Sequence, residues 1–428
     1  LVQKPFDTIL LAMPSVDRGT KRKILDHLKS LSIPVKTVPG ISDILSGKVS
    51  INEIQNIDIA DLLGREEVLP DPWLLQMNVT GKSVLVTGAG GSIGSELCRQ
   101  VAQQSPKCLV LYELSEFALY NIDIELAELY PTLRRVACLG SVSDQTHFST
   151  VLSQHKVDTI YHAAAYKHVP LVEANPAQGI FNNVLGTLTS AQSAINCDVS
   201  NFVLVSTDKA VRPTNVMGAT KRVAELILQA LADQPEMTTR FTIVRFGNVL
   251  DSSGSVVPRF RKQITEGKPI TLTHPDATRY FMSIPEAARL VIQAGAMGKG
   301  GEIFLLDMGE PVRIYNLALQ MIRLSGLVPG RDIDIKITGL RPGEKLHEEL
   351  LIDRDNVSAT RHPKIFCAHE TKMSWEVLQP CLEALFKKAQ LADSAAIITQ
   401  MQSFVPEYQP ETSQVTHASY VPISPRRA

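Results

Sequence analysis

The sequence lacks the patterns typical of a membrane span, a nucleic-acid-binding surface or a metal site. No apolar run approaches the ~20 residues that cross a bilayer, and we find no signal-peptide pattern. The 43 Lys and Arg residues are offset by 44 Asp and Glu, so a formal net charge of −1 provides no basic field for nucleic acid. The six cysteines have no Cys-x-x-Cys or Cys/His spacing, which predicts reduced thiols in the cytosol and no metal ligands. A polyanionic ligand would therefore need a local cluster of Arg and Lys.

The composition is that of a soluble globular protein. With 428 residues, 44% hydrophobic and 20% charged, the chain is long enough for two or three domains. From Lys82 onward, strand-like apolar runs alternate with helical stretches, which predicts an α/β fold with a doubly wound parallel sheet. The predicted strands are residues 82–87, 107–113, 134–139, 157–161, 201–206, 241–246 and 303–307.

A shorter β-α-β pattern precedes this sheet. It consists of a strand at 8–14, an amphipathic helix that contains Leu25 and Leu28, a strand at 33–38 and an apolar helix at 41–45. Because the strands needed to complete a sheet are missing, the pattern predicts the back half of a Rossmann-like domain and a chain cut from something longer. The predicted domains are 1–75, a partial Rossmann-like domain ending in a linker; 80–250, a Rossmann domain; 251–390, a smaller substrate lobe interleaved with the last strands of the sheet; and 400–428, a flexible tail.

A glycine-rich turn follows the first strand of the predicted sheet. Gly88, Gly91 and Gly94 stand directly after an apolar strand and before a helix, which is the order that a dinucleotide-binding turn requires. Gly88 allows a tight turn, Gly91 allows close approach to a pyrophosphate, and Gly94 lets the helix pack closely on the strand. Ser92 and Ile93 then lie at the helix N-terminus, where the phosphates bind.

An acidic residue, Glu113, ends the second strand of the predicted sheet. A carboxylate there would bind the adenosine ribose hydroxyls and repel a 2′-phosphate, which predicts NAD rather than NADP. The alternative is a solvated carboxylate that leads a helix. Further cofactor contacts are expected after the third and fourth strands and from a lysine that could equally lie on the surface: Ser141, Val142, Ala163, Ala164 and Lys167.

Three chemically active side chains follow the strand at 201–206. Thr207, Asp208 and Lys209 share one strand end, and the next helix carries Lys221 with Met217 four positions before it. Met217 cannot carry a titratable proton, so either catalysis has been lost or the three residues at the strand end do the acid–base work. Their crowding favours the second interpretation, against a surface ion pair of Asp208 with Lys209 and a core-filling Met217.

Candidates for substrate binding lie at this strand end and in the second lobe. The planar guanidinium group of arginine can donate two parallel hydrogen bonds to phosphate oxygens. Each of the two candidate arginines named below could instead form a structural salt bridge. The candidates are Ser206, Asn248, Arg279, Arg341 and Glu344.

Six motifs together resemble one family, the bacterial polysaccharide-biosynthesis nucleotide-sugar 4,6-dehydratases of the extended short-chain dehydrogenase/reductase superfamily. The resemblance covers about residues 80–370. The motifs are Thr-Gly-Ala-Gly-Gly-Ser-Ile-Gly at 87–94, His-Ala-Ala-Ala-Tyr-Lys-His-Val-Pro at 162–170, Ser-Thr-Asp-Lys-Ala at 206–210, Arg-Phe-Gly-Asn-Val-Leu at 245–250, Thr-Arg-Tyr-Phe-Met at 278–282 and Gly-Leu-Arg-Pro-Gly-Glu-Lys at 339–345.

The resemblance implies a lyase that removes water from UDP-N-acetylglucosamine across C5–C6. A transient 4-keto sugar and internal recycling of NAD are implied, for the synthesis of surface polysaccharide or glycoprotein sugars. Met217 stands where the short members usually carry Tyr, which aligns the chain with the long, membrane-anchored members and implies that C5 configuration is retained. The resemblance also implies a homo-oligomer and a full-length protein anchored at the cytoplasmic side of the bacterial inner membrane, with this chain a soluble part that does not itself contact the membrane.

This chemistry assigns expected roles at the strand end. Thr207 would hydrogen-bond the sugar O4, and Asp208 would accept the O4 proton or hold a proton for the 6-hydroxyl. Lys209 would remove the C5 hydrogen if neutral, and burial beside Lys221 and the nicotinamide cation is expected to lower its pKa from about 10.4. Lys221 would bind the nicotinamide ribose.

Two other functions are compatible with parts of the sequence. A nucleotide-sugar 4-epimerase or reductase would share the fold and cofactor but would normally keep the Tyr and has no need of the pair Asp208–Lys209. A non-catalytic NAD-binding sensor gives no reason for Thr207, Asp208 and Lys209 to coexist. Formation of a product lighter by one water would separate these functions from a dehydratase.

Overall fold

The computed structural model describes residues 7–14, 16–28, 31, 33–38, 55–57, 61–62, 65, 68–349 and 356–410. Within those ranges no helix has the length and apolar character needed to cross a membrane. The strands in chain order are β1 (Ile9–Leu11), β2 (Val35–Thr37), β3 (Gln55–Asn56), β4 (Ser83–Thr87), β5 (Cys108–Glu113), β6 (Arg135–Leu139), β7 (Thr159–His162), β8 (Asn201–Val205), β9 (Arg240–Arg245), β10 (Asn248–Val249), β11 (Ile270–Leu272), β12 (Thr278–Arg279), β13 (Phe281–Met282), β14 (Glu302–Leu306), β15 (Val312–Arg313), β16 (Ile335–Ile337), β17 (Val357–Ala359) and β18 (Ile365–Ala368).

The helices surround and connect these strands. In chain order they are α1 (Arg18–Leu28), α2 (Pro72–Gln76), α3 (Ser92–Gln103), α4 (Glu116–Leu129), α5 (Gln145–His155), α6 (Val169–Ala174), α7 (Pro176–Gly179), a π-helical turn (Ile180–Leu185), α8 (Gly186–Asn196), a 3₁₀ turn (Asp208–Ala210), α9 (Val216–Ala232), α10 (Val256–Thr265), α11 (Ile284–Met297), α12 (Ile314–Leu324), α13 (Trp375–Gln390) and α14 (Ser394–Phe404).

A nine-stranded sheet in the order β17-β18-β14-β9-β8-β7-β4-β5-β6 organises the described part of the chain. The strands from β14 to β6 are parallel and coincide, within one or two residues, with the seven strands predicted from the sequence. Strands β18 and β17 extend one edge in antiparallel fashion. The predicted α/β, doubly wound fold is therefore confirmed.

Both faces of this sheet are covered. Strand β4 is buried along its whole length, as expected for a parallel strand with helices on each side. One face packs on a core cluster that includes Phe148, Phe202 and Phe241, and the opposite face on a cluster that includes Leu97 and Leu111. Because the chain crosses from β6 to β7, on the other side of β4, the carboxyl ends of β4 and β7 form the switch point where such sheets bind ligands.

A third core cluster joins the second lobe to the N-terminal segment. Val257 and Phe260 from α10 pack in the same cluster as Leu25 from α1 and Val35 from β2. Strands β1, β2 and β3 form a separate three-stranded sheet, which agrees with the predicted strands at 8–14 and 33–38. The predicted helix at 41–45 lies outside the described residues.

The predicted linker at the end of 1–75 contains ordered structure. Asp71 caps α2 by accepting hydrogen bonds from the backbone N–H groups of Trp73 and Leu74, and Leu74 and Leu75 are buried. Pro at the first turn of a helix needs no hydrogen bond for its nitrogen, so the Asp-Pro pair initiates a helix here where composition alone indicated a loop.

The predicted flexible tail from residue 400 is wrong for residues 400–410. Helix α14 runs to Phe404, and its apolar face buries Ile397, Met401 and Phe404 in the central core, followed by buried Val405 and Tyr408. The apolar residues of this segment recur at helical spacing, which determines its structure in spite of the proline-rich composition that follows. Residues 411–428 lie outside the described part. Helix α13 belongs to the same core through Leu378, Leu382 and Leu385, so the chain leaves the second lobe before residue 390.

Candidate active site

A cavity of about 880 Å³ opens at the carboxyl ends of the parallel strands. Its wall combines the turn after β4, the segments after β7 and β8, the start of α9 and parts of the second lobe. Large clefts of this kind at the switch point of a parallel sheet are typical of cofactor and substrate sites. The residues predicted for the cofactor that line the cavity are Gly88, Gly91, Ser92, Ile93, Gly94, Ala163, Lys167 and Lys221.

The glycine turn has no room for side chains. Gly88 has φ +63°, and a Cβ built on it would lie 2.9 Å from the backbone of Ala164. A Cβ on Gly94 would collide with the carbonyl oxygen of Gly88. Helix α3 then begins at Ser92 without a side-chain cap, so its first N–H groups are available to an anion.

Glu113 is fixed against the glycine turn. Its Oε2 accepts a hydrogen bond from the N–H of Gly90 at 3.0 Å, and its Oε1 accepts from the N–H groups of Leu114 and Ser115 at 2.9 and 3.0 Å. The carboxylate is therefore held beside the turn, which is where a ribose-binding acid is expected, and it is not a solvated surface group.

Four residues predicted to contact the cofactor do not line the cavity: Glu113, described above, and Ser141, Val142 and Ala164. The Ser141 carbonyl accepts a hydrogen bond from the Tyr112 hydroxyl at 3.0 Å, Val142 is buried in the core, and the N–H of Ala164 donates to Thr87 Oγ1 at 3.2 Å. Ser141 and Val142 follow β6, which lies two strands away from β4 and hence at the far end of the site.

Met217 and Lys221 lie one turn apart on α9 and both line the cavity. Lys221 Nζ donates to the carbonyl oxygen of Val205 at 2.7 Å. Burial lowers the pKa of Lys221 to about 8, although the nearby carboxylate of Glu225 opposes that shift. Met217 also packs in the central core, so it fills space while it leaves this part of the wall without an ionisable group.

Lys209 is the centre of a hydrogen-bonded cluster at the end of β8. Its Nζ donates to Asp208 Oδ1 at 3.0 Å and to Asn248 Oδ1 at 3.1 Å, and it lies 3.3 Å from Glu348 Oε1. Thr207 Oγ1 donates to Asp208 Oδ1 at 2.9 Å. The structure thus brings Thr207, Asp208 and Lys209 together, as predicted, and adds Glu348 and Asn248, which was predicted to bind the substrate.

The expected neutral Lys209 is contradicted in the ligand-free cluster. Burial alone would lower the pKa of Lys209, but the charges of Asp208 and Glu348 outweigh it and raise the pKa above its ordinary value. Burial and the charge of Glu348 raise the pKa of Asp208, against the effect of Lys209. Lys221, which was expected to lower the pKa of Lys209, is occupied by the backbone of β8.

Sequence reasoning missed Glu348, and it placed Arg279 and Glu344 on the substrate. Arg279 Nη2 donates to Glu344 Oε1 at 2.9 Å, and Arg279 Nε lies 3.6 Å from Glu348 Oε1. Thr273 Oγ1 also donates to Glu344 at 2.9 Å. The salt-bridge alternative for Arg279 is therefore what the structure contains, although both residues line the cavity.

The hydroxyl of Ser206 is turned away from a substrate. It donates to buried Glu225 at 2.6 Å, so only the remaining atoms of Ser206 can face the cavity. Arg341 and Arg259 present exposed side chains to the same cavity, and neither guanidinium forms an ion pair within the described chain. Arg259, at the start of α10, carries no sequence signal beyond its charge and was not predicted.

Comparison with known proteins places these features in a family context. Residues 84–370 match the family described as polysaccharide biosynthesis protein. The chain is 48% identical over 344 residues to the capsular polysaccharide biosynthesis protein CapD of Staphylococcus aureus, covering 80% of this chain and 57% of CapD. The chain therefore spans little more than half the length of that relative.

An enzyme and a solved structure are also similar. The chain is 32% identical over 279 residues to the inverting UDP-N-acetylglucosamine 4,6-dehydratase of Campylobacter jejuni, covering 64% of this chain and 79% of that enzyme. The X-ray structure of Pen from Bacillus thuringiensis matches with a TM-score of 0.63 and 31% identity, covering 70% of this chain and 92% of Pen.

Proposed function

Since the chain belongs to the polysaccharide biosynthesis protein family of the extended short-chain dehydrogenase/reductase superfamily, we propose that it is an NAD-dependent nucleotide-sugar 4,6-dehydratase. Its substrate in this proposal is UDP-N-acetylglucosamine, and the product is the 4-keto-6-deoxy sugar with C5 configuration retained. The observation that carries the proposal is the cluster of Thr207, Asp208 and Lys209 beside a wall position, Met217, that has no ionisable group.

The glycine turn fits a dinucleotide cofactor. The absence of side-chain space at Gly88 and Gly94, the uncapped start of α3 and the fixed Glu113 supply the turn, the phosphate site and the ribose partner. Lys221, fixed at the end of β8, would bind the nicotinamide ribose. In this site a bound NAD would supply hydride-transfer chemistry, by which hydride would leave C4 of the sugar and later return at C6.

The residues of the cluster divide the proton transfers. Thr207 orients O4, and its hydrogen bond to Asp208 gives the O4 proton a path to the carboxylate. Since a carboxylate holds one proton, the O4 proton must leave Asp208 for solvent before the proton on Lys209 Nζ passes to it along their 3.0 Å hydrogen bond. That transfer leaves a neutral amine for the C5 hydrogen and a protonated Asp208 for the departing 6-hydroxyl, and the raised pKa of Asp208 supports it.

The cationic side chains of the second lobe suit a UDP-sugar. Arg259 and Arg341 are exposed to the cavity with guanidinium groups that can pair with pyrophosphate oxygens. The pair Arg279–Glu344 then shapes this wall and does not itself bind phosphate.

Incubation with UDP-N-acetylglucosamine and catalytic NAD tests the proposal. We expect a product lighter by one water, with no net reduction of NAD, and an NMR spectrum of the product gives the C5 configuration. An isomer of unchanged mass would indicate a 4-epimerase, and binding of NAD without any product would indicate a sensor. The proposed function also requires that the Lys209→Met variant, prepared and assayed in the same way, forms no product.

A further inference from the structure

Lys209 has three acceptors for the three N–H bonds of an ammonium group. Two of them, Asp208 Oδ1 and Asn248 Oδ1, come from loops at the end of the central sheet. The third, Glu348 Oε1 at 3.3 Å, comes from the second lobe. A neutral amine has only two N–H bonds and a lone pair, so it cannot satisfy all three acceptors at once.

Glu348 is held in place independently of Lys209. The segment that precedes it is attached to the loop between the 3₁₀ turn and α9, because Thr214 Oγ1 and Asn215 Nδ2 donate to the carbonyl oxygen of Gly343 at 3.0 and 2.9 Å. Glu348 is 8% exposed, and Arg279 Nε lies 3.6 Å from the same Oε1 atom that faces Lys209. The carboxylate is thus a fixed part of the wall and not a mobile surface group.

We propose that Glu348 is a positioning residue that keeps Lys209 protonated and fixes the position of its Nζ in the substrate-free site. This inference rests on the proposed function in that Lys209 is taken as the residue that exchanges protons with the sugar. The second lobe, which supplies the substrate wall, thereby also sets the proton affinity of a catalytic group on the central sheet. Displacement of Glu348 from Nζ would favour transfer of the Lys209 proton to Asp208.

The surrounding charges agree with this assignment. Lys209 faces the carboxylates of Asp208 and Glu348 and, more weakly, the like charge of Arg279. Burial would raise the pKa of Glu348, but Lys209, Arg279 and Lys345 outweigh it and keep the carboxyl below its ordinary pKa. Glu348 is therefore ionised at neutral pH and available to stabilise the ammonium group of Lys209.

Competitive acetylation measures the protonation of Lys209 directly. Substrate-free protein is treated with trace acetic anhydride across a pH series, and the modification of Lys209 is quantified by mass spectrometry, because only the neutral amine reacts. In the unmodified sequence we expect the midpoint for Lys209 above the ordinary lysine value and well above that of Lys221. In Glu348→Gln we expect the midpoint for Lys209 to fall by about 1–3 pH units, the usual effect of removing an opposite charge at this range.

Glu349→Gln is the matched control. Glu349 is the next residue of the same segment but lies 3.5 Å from Lys345 and 3.7 Å from Arg212, so its removal should leave the Lys209 midpoint unchanged. Glu348→Asp keeps the charge on a shorter side chain and should give an intermediate midpoint. The inference would be overturned by equal Lys209 midpoints in Glu348→Gln and the parent. It would also be overturned by a parent midpoint below the ordinary lysine value, and that measurement does not depend on the folding of any variant.

Turnover separates this inference from the proposed function. If the chain is a dehydratase, the limb of its pH–rate profile that reports Lys209 should move to lower pH in Glu348→Gln and not in Glu349→Gln. If no variant forms product but the acetylation midpoint still shifts, the proposed function fails while the role of Glu348 in holding the proton stands. Dehydration without any midpoint shift would reject Glu348 and leave the function intact.

Discussion

Two clusters of buried charge flank the end of β8, and they differ in how completely their carboxylates are paired. The first, called here the structural charge network, comprises Arg222, Glu225, Arg245 and Glu370. Arg245 donates to both oxygens of Glu225 and both oxygens of Glu370 at 2.5–2.8 Å, with two positive and two negative charges in all. Arg245 is 1% exposed, and the network is shut off from the cavity.

The second, the cavity charge cluster, comprises Asp208, Lys209, Arg279 and Glu348. Here Asp208 Oδ2 is buried without a hydrogen-bond partner among the described residues, and the Lys209 side chain remains 21% exposed towards the cavity. An unpaired buried oxygen is costly, so it persists where a function requires it. Arg222 Nε of the structural charge network also forms no hydrogen bond among the described residues, so the contrast lies in the carboxylates. The comparison teaches that carboxylates with both oxygens paired hold the fold, and that an unpaired carboxylate oxygen beside a cavity marks an acid proposed to exchange protons.

Among the substitutions discussed here, that of Lys209 should have the largest effect, and the effect should be on catalytic activity. In Lys209→Met the proposed C5 base is lost, and we expect kcat to fall by at least about 10²–10⁴-fold, the usual contribution of one acid–base group. NAD binding should persist because the glycine turn and Glu113 are untouched. Rate assays and cofactor titration of the same preparation measure both.

Asp208→Asn should cause a similar loss of kcat, since position 217 carries Met, which cannot take over its protons. Lys364→Met provides a control, because Lys364 Nζ donates to Asp307 Oδ2 and Lys364 does not line the cavity within the described residues. Near-normal product formation by either cavity variant would remove that residue from the chemistry and end the distinction between the two clusters.

The structural charge network should respond in stability instead. Arg245→Met leaves Glu225 and Glu370 buried without their main partner, and breaking a buried pair in this way costs about 3–5 kcal/mol. Denaturant unfolding of the variant and the parent measures this loss. Lys372→Met, which breaks an exposed pair with Asp233, should cost about 0–1 kcal/mol. A folded, fully stable Arg245→Met protein would show that pairing does not mark structural charges here.

The contrast between the two clusters also explains what the sequence could predict. The seven parallel strands were found to within one or two residues because an apolar run bounded by turns is a local signal. The glycine turn and the group Thr207, Asp208 and Lys209 were found for the same reason, since each lies within one short segment that carries its own chemistry.

Pairings between distant segments were not predictable. Nothing near Glu348 distinguishes it from Glu344 and Glu349, and only the folded second lobe decides which carboxylate reaches Lys209. The hydrogen bond from the Ser206 hydroxyl to Glu225 was not predicted, because Glu225 lies on the next helix. The expected lowering of the Lys209 pKa is wrong for the ligand-free site for a similar reason, since that pKa depends on a charge supplied from across the cavity.

Position 217 lies where the core and the cavity meet, so a substitution there tests whether the cluster works without a phenol. In Met217→Tyr the larger ring enters a tight site, where overpacking costs about 1–3 kcal/mol, and a displaced sugar could lose about 10²-fold in rate. We expect activity equal to or below that of the parent, with the same C5 configuration by product NMR. Met217→Leu, which nearly conserves volume, should stay close to the parent. A clearly faster Tyr variant would show that the cavity charge cluster is a damaged site.

Glu113 lies outside both clusters, and its replacement tests whether full pairing of a carboxylate excludes a role in binding. This replacement should have the smallest effect of those described here. Its carboxylate accepts three backbone N–H groups, as a structural group would, yet it lies against the glycine turn, where a ribose would bind. If it only fixes the turn, Glu113→Ala should weaken NAD and NADP equally. If it also binds the ribose, NAD should weaken by about tenfold, as for a lost hydrogen bond to a charged group.

NADP responds differently because the lost carboxylate also removes repulsion of its 2′-phosphate. The ratio of the two dissociation constants, measured by titration before and after the change, therefore separates ribose binding from support of the turn. Glu116→Ala is the control, because it also removes one negative charge from the surface, in the exposed first turn of α4. The described structure shows no contact between Glu116 and the glycine turn, so this substitution should leave the ratio unchanged. An unchanged ratio in Glu113→Ala as well would make Glu113 a purely structural carboxylate and extend the rule of complete pairing to it.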